Sequence, residues 1–440
     1  MLVNINRLEA ALKEVNEIGA SKGQGITRLA YSSEHWAANE YFIGKCKEEG
    51  MTVRIDACGN VIARREGSEP QLPAVTCGSH LDTVQHGGGY DGTLGVIAGL
   101  EMIRSLNEKG VVTRNSIELI SFACEESARF GVSTIGSKAM AGKLNKESLQ
   151  KLRDNEGVSF PEALAAVGLD FTHIETARRS EKEIKAFFEL HIEQGPLLEN
   201  SGREVGIATG IAAPIRLEVT IQGKASHSGT TPMNMRQDAL IGAAEIITEL
   251  EKAALEEAEH GTVATAGVCD VHPGAMNVVP DWVSLKIDIR GTVITSRQII
   301  IERLFKLFRG LQKRRGLQIE ARILSDEKPV VLDKYTVRLL SSLCEAQGIA
   351  YLNMMSGAGH DAMNMASICP TGLIFIPSRD GVSHHKDEYS SIAQIAKGAA
   401  LLEEVVLRCA EEVQIKPSGT FKNNMDRSKH HESRKTKSII

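Results

Sequence analysis

The middle of the chain carries the feature that most constrains its fold, a run of six strand and helix patterns. From about residue 214 the predicted elements are a strand over 215–223, a helix over 236–258, strands over 262–270 and 282–290, a helix over 296–314 and a strand over 317–324. This β-α-β-β-α-β order is typical of a ferredoxin-like domain. We therefore predict a compact domain at residues 213–328.

Apolar runs on both sides of this unit predict one further domain of the α/β class. Buried strands are predicted over 74–80, 116–124, 186–191 and 371–377, and helices over 1–19, 93–110 and 391–413. Alternating strands and helices favour a mostly parallel sheet. Because the last strand follows the inserted unit, the α/β domain is predicted to be discontinuous, with residues 1–212 and 329–413.

Charge and composition exclude several classes of protein. The chain has 51 Lys and Arg against 56 Asp and Glu, a net charge of −5 that provides no attraction to nucleic acid or to an anionic membrane. No apolar run reaches the roughly 18 residues that span a bilayer. Residues 414–440 differ from the rest, since they carry seven Lys and Arg but two acids. We expect a disordered basic tail there.

The cysteines indicate a reducing compartment. Eight cysteines are scattered along the sequence without a C-x-x-C pair, and the N-terminus has no signal-peptide pattern. We therefore expect a cytoplasmic protein with free, mostly buried thiols.

Five short segments carry the side chains with chemical potential. They are GSHLDTV (78–84), GGGYDG (87–92), CEES (124–127), ELHIEQGP (189–196) and GVSHHKDE (381–388). Four of them lie at or shortly after the carboxyl end of a predicted strand. Since ligands of open α/β sheets bind beyond those ends, the five segments are predicted to converge.

Histidines and carboxylates in these segments are the ligands that zinc and similar divalent ions prefer. His80 is followed by Asp82, whose carboxylate can orient a metal-binding imidazole. Asp91 lies among glycines, where a carboxylate can approach two cations. Of Glu125 and Glu126, one can bind metal while the other acts as a general base.

Taken together, these motifs resemble the di-zinc aminoacylase and carboxypeptidase superfamily. The matching residues are His80-x-Asp82, Asp91-Gly92, Glu125-Glu126, His191 and Ser383-His384. Within the superfamily, HIEQGP (191–196), GKASHSGTTPM (223–233) and SGAGHDA (356–362) are similar to the branch of N-carbamoyl-L-amino acid hydrolases and allantoate amidohydrolases. The resemblance extends from about residue 5 to residue 413.

The resemblance implies two divalent metal ions per subunit, zinc or else manganese, cobalt or nickel. The implied ligands are Asp91 bridging both ions, His80 and His191 on one ion, and Glu126 and His384 on the other. The implied general base is Glu125, and Asp82 is the partner of His80. His384 is preferred to His385 because of its spacing from Ser383 and Glu388.

The substrate-binding residues implied by the resemblance are Gln194, His227, Asn277, Arg290 and His360. Arg290 would hold a substrate carboxylate with its planar guanidinium, and His227 would also stabilise an oxyanion. His227, Asn277 and Arg290 lie in the inserted domain, so the site would be completed by closure of that domain. In similar proteins the insert also pairs subunits, which implies a homodimer.

The predicted activity is hydrolysis of the ureido C–N bond of N-carbamoyl-L-amino acids to ammonia, carbon dioxide and the free L-amino acid. The partner is therefore a small ureido compound with a carboxylate, and no nucleic acid or membrane is expected. Allantoate hydrolysis is the close alternative, since allantoate combines the same two groups. A di-zinc peptidase or aminoacylase, and a non-catalytic relative that only binds ligands, are the more distant alternatives.

Overall fold

The computed structural model describes residues 3–411. The strands are β1 (Ala20–Ser21), β2 (Gly25–Ile26), β3 (Thr52–Ile55), β4 (Val61–Arg65), β5 (Ala74–His80), β6 (Ile117–Phe122), β7 (Ile184–Ile192), β8 (Val205–Ile211), β9 (Ala213–Gln222), β10 (Ser226–His227), β11 (Val263–His272), β12 (Val278–Val279), β13 (Trp282–Gly291), β14 (Gln318–Asp326), β15 (Val330–Val331), β16 (Tyr351–Ser356) and β17 (Thr371–Ile376). The α-helices are α1 (Ile5–Glu17), α2 (Ser33–Glu48), α3 (Thr93–Glu108), α4 (Ile135–Met140), α5 (Lys146–Gln150), α6 (Phe160–Ala166), α7 (Leu197–Asn200), α8 (Ala239–Glu256), α9 (Ile294–Arg315), α10 (Lys334–Gln347), α11 (Ala362–Met365) and α12 (Ile392–Glu411).

The larger sheet has nine strands in the order β15-β8-β17-β7-β5-β6-β4-β3, with β16 added beside β8. Its four central strands, β17, β7, β5 and β6, run parallel to one another. These are the four strands predicted from the apolar runs, and they are neighbours. The predicted α/β class with a mostly parallel sheet is confirmed. Because the four central strands are parallel, their carboxyl ends meet at one edge.

Helices α3 and α12 pack on this sheet through an apolar core that is almost completely closed to solvent. Strands β5 and β6 are buried along their whole length, which explains why they read as continuous apolar runs. Helix α3 approaches the strands closely because Gly95 faces them. A methyl group there would overlap the carbonyl oxygen of Leu190 in β7.

The smaller sheet is the predicted antiparallel unit, with the order β11-β13-β9-β14. Residues alternate along β9 and β13, so that one face forms a core with α8 and α9 and the other face stays polar. In the sequence the unit is preceded by β8 and followed by β15, and both of these strands belong to the larger sheet. The fold with a separate four-stranded antiparallel sheet is confirmed, and residues 213–328 remain our proposed domain limits.

Some elements were not predicted from the sequence. Strand β8 (VGIATGI) is not predicted, because its two glycines interrupt the apolar pattern. At Gly206 a side chain would press on Met354 and Phe375, so the glycine allows the neighbouring strands to pack closely. Of the eight cysteines seven are buried, whereas Cys269 is exposed on the edge strand β11.

Within residues 3–411 no helix is long and apolar enough to cross a membrane. The tail predicted at 414–440 lies outside the described residues.

Candidate metal centre

Asp91 lies at the centre of a cluster formed at the carboxyl edge of the central strands. Its Oδ1 atom is 3.5 Å from Nε2 of His80 and 3.1 Å from Nε2 of His191. Its Oδ2 atom is 3.2 Å from Nε2 of His384, which in turn is 3.5 Å from Oε1 of Glu126. Two groups of candidate metal ligands therefore share one carboxylate, and each of its oxygens faces a different group.

The chain topology explains this convergence. His80 ends β5 and His191 lies near the end of β7, while Glu126 follows β6 and His384 follows β17. Asp91 lies immediately before α3, which packs on β5 and β7. Each of the four central parallel strands thus contributes one potential ligand.

The donor set fits divalent metal ions. Ligands about 2.0–2.1 Å from a tetrahedral ion lie about 3.4 Å apart, which agrees with the donor separations of 3.1–3.5 Å around Asp91. Imidazole nitrogens and carboxylate oxygens suit zinc and related ions. The two groups are therefore candidate sites for divalent metals, with Asp91 common to both.

The electrostatics of the cluster agree with this assignment. Burial raises the pKa of Asp91, but hydrogen bonds with His191, His384 and His80 hold it well below its usual range. The hydrogen bond to Asp91 raises the pKa of His384 to about 9. Burial raises the pKa of Glu126 to about 7. These opposing shifts follow from the close packing of carboxylates and imidazoles around Asp91.

Asp82 connects two parts of the cluster. Nδ1 of His80 donates a hydrogen bond to the main-chain carbonyl of Asp82 at 2.9 Å, while the carboxylate of Asp82 is 3.8 Å away. That carboxylate accepts hydrogen bonds from the main-chain N–H groups of Glu125 at 3.2 Å and Glu126 at 3.0 Å. Asp82 therefore orients His80 through its main chain and the Glu125–Glu126 turn through its side chain.

Glu125, the predicted general base, is buried beside the cluster. Its Oε2 atom lies 3.8 Å from Nε2 of His80, and burial raises the pKa of Glu125 well above its usual value. Its side chain lines a cleft together with the potential metal ligands.

Gln194 and Arg290 line the same cleft. Nε2 of Gln194 donates to Oδ2 of Asp91 at 2.7 Å. Arg290 comes from β13 of the smaller sheet and donates to Asp288 and to the carbonyl of Gly357. The cleft is therefore formed by residues from both sheets, as the predicted site requires.

His360 does not line the cleft but lies beneath it. It is buried, with its ring 4.6 Å from that of His191 in an edge-to-face arrangement and its Nε2 atom 2.9 Å from Oγ of Ser356. It is thus placed to support His191, and direct contact with substrate remains a prediction.

The structure does not bring His227 and Asn277 to the cleft within one chain. Both lie on the ribbon formed by β10 and β12 or beside it, and both are exposed. Nδ1 of His227 accepts hydrogen bonds from the N–H groups of Gly229 and Thr230, so its Nε2 atom is directed away from the main chain. His385, the alternative to His384, is also exposed and lies near Asp387.

The sequence predicts no role for two residues that support the site. Glu388 accepts hydrogen bonds from the N–H groups of Tyr90 and Asp91 and from the hydroxyl of Ser383. The fully buried Arg28 donates to the carbonyl of Leu81, next to His80. Only the position of Glu388 shortly after the histidine pair could have indicated its role, and no local signal marks Arg28.

Fold and site together define a class of protein, namely α/β proteins with a candidate centre for divalent metals at the carboxyl ends of the parallel strands. Comparison with known proteins gives the family. The sequence profile of peptidase family M20/M25/M40 matches residues 77–408. The chain belongs to this family, in the hydantoinase/carbamoylase branch that contains N-carbamoyl-L-amino acid and allantoate amidohydrolases.

Relatives in this branch match the chain over nearly its whole length. An uncharacterised hydrolase of Haemophilus influenzae is 45% identical, over 93% of this chain and 100% of its own. N-carbamoyl-L-amino acid amidohydrolase of Geobacillus stearothermophilus is 39% identical, over 93% and 100%. The crystal structure of a hydantoinase/carbamoylase family amidase from Burkholderia multivorans superimposes with a TM-score of 0.88 at 33% identity, covering 93% of this chain and 98% of that one. The protein is therefore an amidohydrolase acting on C–N bonds.

Proposed function

We propose that this amidohydrolase hydrolyses the ureido group of N-carbamoyl-L-amino acids. The observation that carries the proposal is that the cluster around Asp91 and the guanidinium of Arg290 line one cleft. A ureido carbonyl can therefore lie at the cluster while the carboxylate of the same molecule pairs with Arg290. The 39% identity to an N-carbamoyl-L-amino acid amidohydrolase supports this substrate class.

The metal ligands in this proposal are His80, Asp91, Glu126, His191 and His384. Divalent ions, when bound, polarise a carbonyl group and lower the pKa of water. Glu125 takes a proton from the attacking water molecule while the oxygen of that water bonds to the carbamoyl carbon. The bond from that carbon to the terminal nitrogen then breaks, and Glu125 returns the proton so that ammonia leaves. The remaining N-carboxy group loses carbon dioxide and yields the free L-amino acid.

Substrate binding also involves residues outside the cluster. Arg290 holds the carboxylate, and Gln194, which contacts Asp91, is placed beside the reacting group. His227 and Asn277 are exposed in the single chain and are available to complete the site when the smaller domain closes or a second copy associates. A homodimer is part of the proposal, and light scattering of the purified protein tests it.

The decisive assay compares N-carbamoyl-L-methionine with allantoate, using manganese-loaded enzyme and ammonia release as the readout. We expect faster turnover of N-carbamoyl-L-methionine. Preference for allantoate would replace the proposed substrate with the alternative, since both carry a ureido group and a carboxylate. Hydrolysis of N-acetyl amino acids or dipeptides without ureido turnover would instead favour a peptidase or aminoacylase.

A further inference from the structure

A second arginine faces the cleft from the smaller sheet. Arg216 on β9 lies directly opposite Asp288 on β13, and Arg290 is two residues further along β13. Their sequence neighbours Ile287 and Ile289 are buried in the core beneath α8 and α9. Arg216, Asp288 and Arg290 therefore share the polar face of the sheet, and both arginines line the same cleft as Asp91.

The two arginines differ in how many of their donors are used. Arg290 donates to Asp288 through Nε at 3.0 Å and Nη2 at 3.1 Å, and to the carbonyl of Gly357 through Nη1. Arg216 donates only through Nε, at 3.2 Å to Oδ2 of Asp288. Among residues 3–411 the two terminal amino groups of Arg216 have no hydrogen-bond partner, and its side chain is 48% exposed.

The carboxylate of Asp288 lies between the two guanidinium groups. Its Oδ2 atom accepts from both arginines. Because Asp288 already lies between the two guanidinium groups, a single substrate carboxylate cannot bridge them at that position. Each arginine is therefore left to bind a different group. The free terminal amino groups of Arg216 form a fork whose geometry suits an anionic pair of oxygens.

Glu327 is the other carboxylate that lines this part of the cleft. It is exposed, and the structure contains no ion pair between Glu327 and Arg216 in the described part of the chain. Its main-chain N–H donates to the carbonyl of Pro214, which holds this segment beside β9. Glu327 therefore leaves the donors of Arg216 available.

We propose that Arg216 binds a second anionic group of the substrate, so that the preferred substrates are N-carbamoyl amino acids with an acidic side chain. This inference rests on the proposed function and specifies its substrate class. In the bound state Arg290 pairs with the α-carboxylate and Arg216 with the side-chain carboxylate, while the ureido group lies at the cluster around Asp91.

The test compares substrate pairs that differ only in charge. We would measure kcat/KM for N-carbamoyl-L-aspartate against N-carbamoyl-L-asparagine, and for the glutamate and glutamine derivatives. The wild-type enzyme should prefer the acidic member of at least one pair by about 10- to 100-fold, the range expected for a charge-assisted hydrogen bond. In Arg216→Gln this preference should fall by about tenfold or more.

Arg322→Gln is the matched control. Arg322 also lies on the smaller sheet and also pairs with a cross-strand carboxylate, that of Glu218 at 2.7 Å, but it does not line the cleft. Its substitution should leave the acidic-to-neutral ratio as in the wild type. A wild-type ratio near one in both pairs, or an equal loss for both members in Arg216→Gln, would overturn the inference.

A binding measurement separates this inference from the proposed function. Calorimetric titration of the Glu125→Gln variant with the same pairs reports affinity without turnover. If an acidic member binds more tightly than its neutral partner, and the additional Arg216→Gln substitution removes this difference, the result supports the role of Arg216. This holds even if the wild-type enzyme does not hydrolyse ureido groups. Equal affinity for acidic and neutral members contradicts it, whereas absence of ureido turnover by the wild type contradicts the proposed function alone.

Discussion

The carboxylate of Glu388 accepts a hydrogen bond from the main-chain N–H of Asp91 at 3.0 Å, although the two residues are 297 positions apart. The same oxygen accepts from the N–H of Tyr90, and the other oxygen accepts from the hydroxyl of Ser383. Glu388 thereby joins the loop after β17 to the turn that presents Asp91. Burial raises the pKa of Glu388, and the three hydrogen bonds oppose this rise because they stabilise the charged carboxylate.

We expect Glu388→Leu to weaken metal binding by about 10- to 100-fold, the usual effect of removing a partner that orients a ligand. Glu388→Gln, which keeps one acceptor oxygen, should lose less. Metal affinity measured by competition with a chromophoric chelator checks this, and circular dichroism verifies the fold. If Glu388→Leu binds metal as tightly as the wild type, Glu388 does not position Asp91.

Glu125→Gln should reduce turnover by about 10²- to 10⁴-fold, because the amide cannot transfer the proton in the proposed reaction. Its metal content should stay near that of the wild type, since Glu125 is not among the proposed ligands. Ammonia release and elemental analysis on the same preparation give both values. Substantial retained activity would remove Glu125 as the base, and loss of metal would make it a ligand.

Gly95→Ala and Gly44→Ala should change stability in opposite directions, although both glycines lie inside helices. Alanine at 95 would overlap the carbonyl oxygen of Leu190 and push α3 away from β7, at a cost of about 1–3 kcal/mol. At 44 the added methyl group meets nothing within 4 Å, so the higher helix propensity should stabilise by about 1 kcal/mol. Urea unfolding of the two variants and the wild type measures both changes. Equal effects at the two positions would contradict the close packing of α3.

Arg28→Met should destabilise the protein by about 3 kcal/mol, because several acceptors would lose a charged donor inside the core. The guanidinium donates to the carbonyl of Leu81 at 2.7 Å and to Oγ1 of Thr93 at 2.7 Å, and also to the end of α1. Burial lowers the pKa of Arg28 to about 10, so the group stays protonated at neutral pH. The exposed Arg203→Met serves as control and should change unfolding by less than about 0.5 kcal/mol. Similar midpoints for both variants in urea would refute the role of Arg28.

The sequence determined a large part of both the fold and the candidate site. Apolar runs such as 74–80 and 186–191 are local patterns, and they identified the four central strands whose carboxyl ends converge. Because each run ends near a histidine or a carboxylate, the cluster of His80, Asp91 and His191 could be expected before any coordinates. The six elements of the smaller domain were also predictable, since their periodicity is local.

Only the tertiary structure decided which distant groups meet. The contact of Glu388 with Asp91 and that of Arg28 with Leu81 depend on loop paths that no periodicity encodes. Likewise, the exposure of His227 away from the cleft, and the presence of Arg216 in it, follow from how the smaller sheet faces the larger one. Periodicity reports the environment of a residue within its own element, whereas a site is defined by contacts between elements, which form only when the sheet order and the packing are complete.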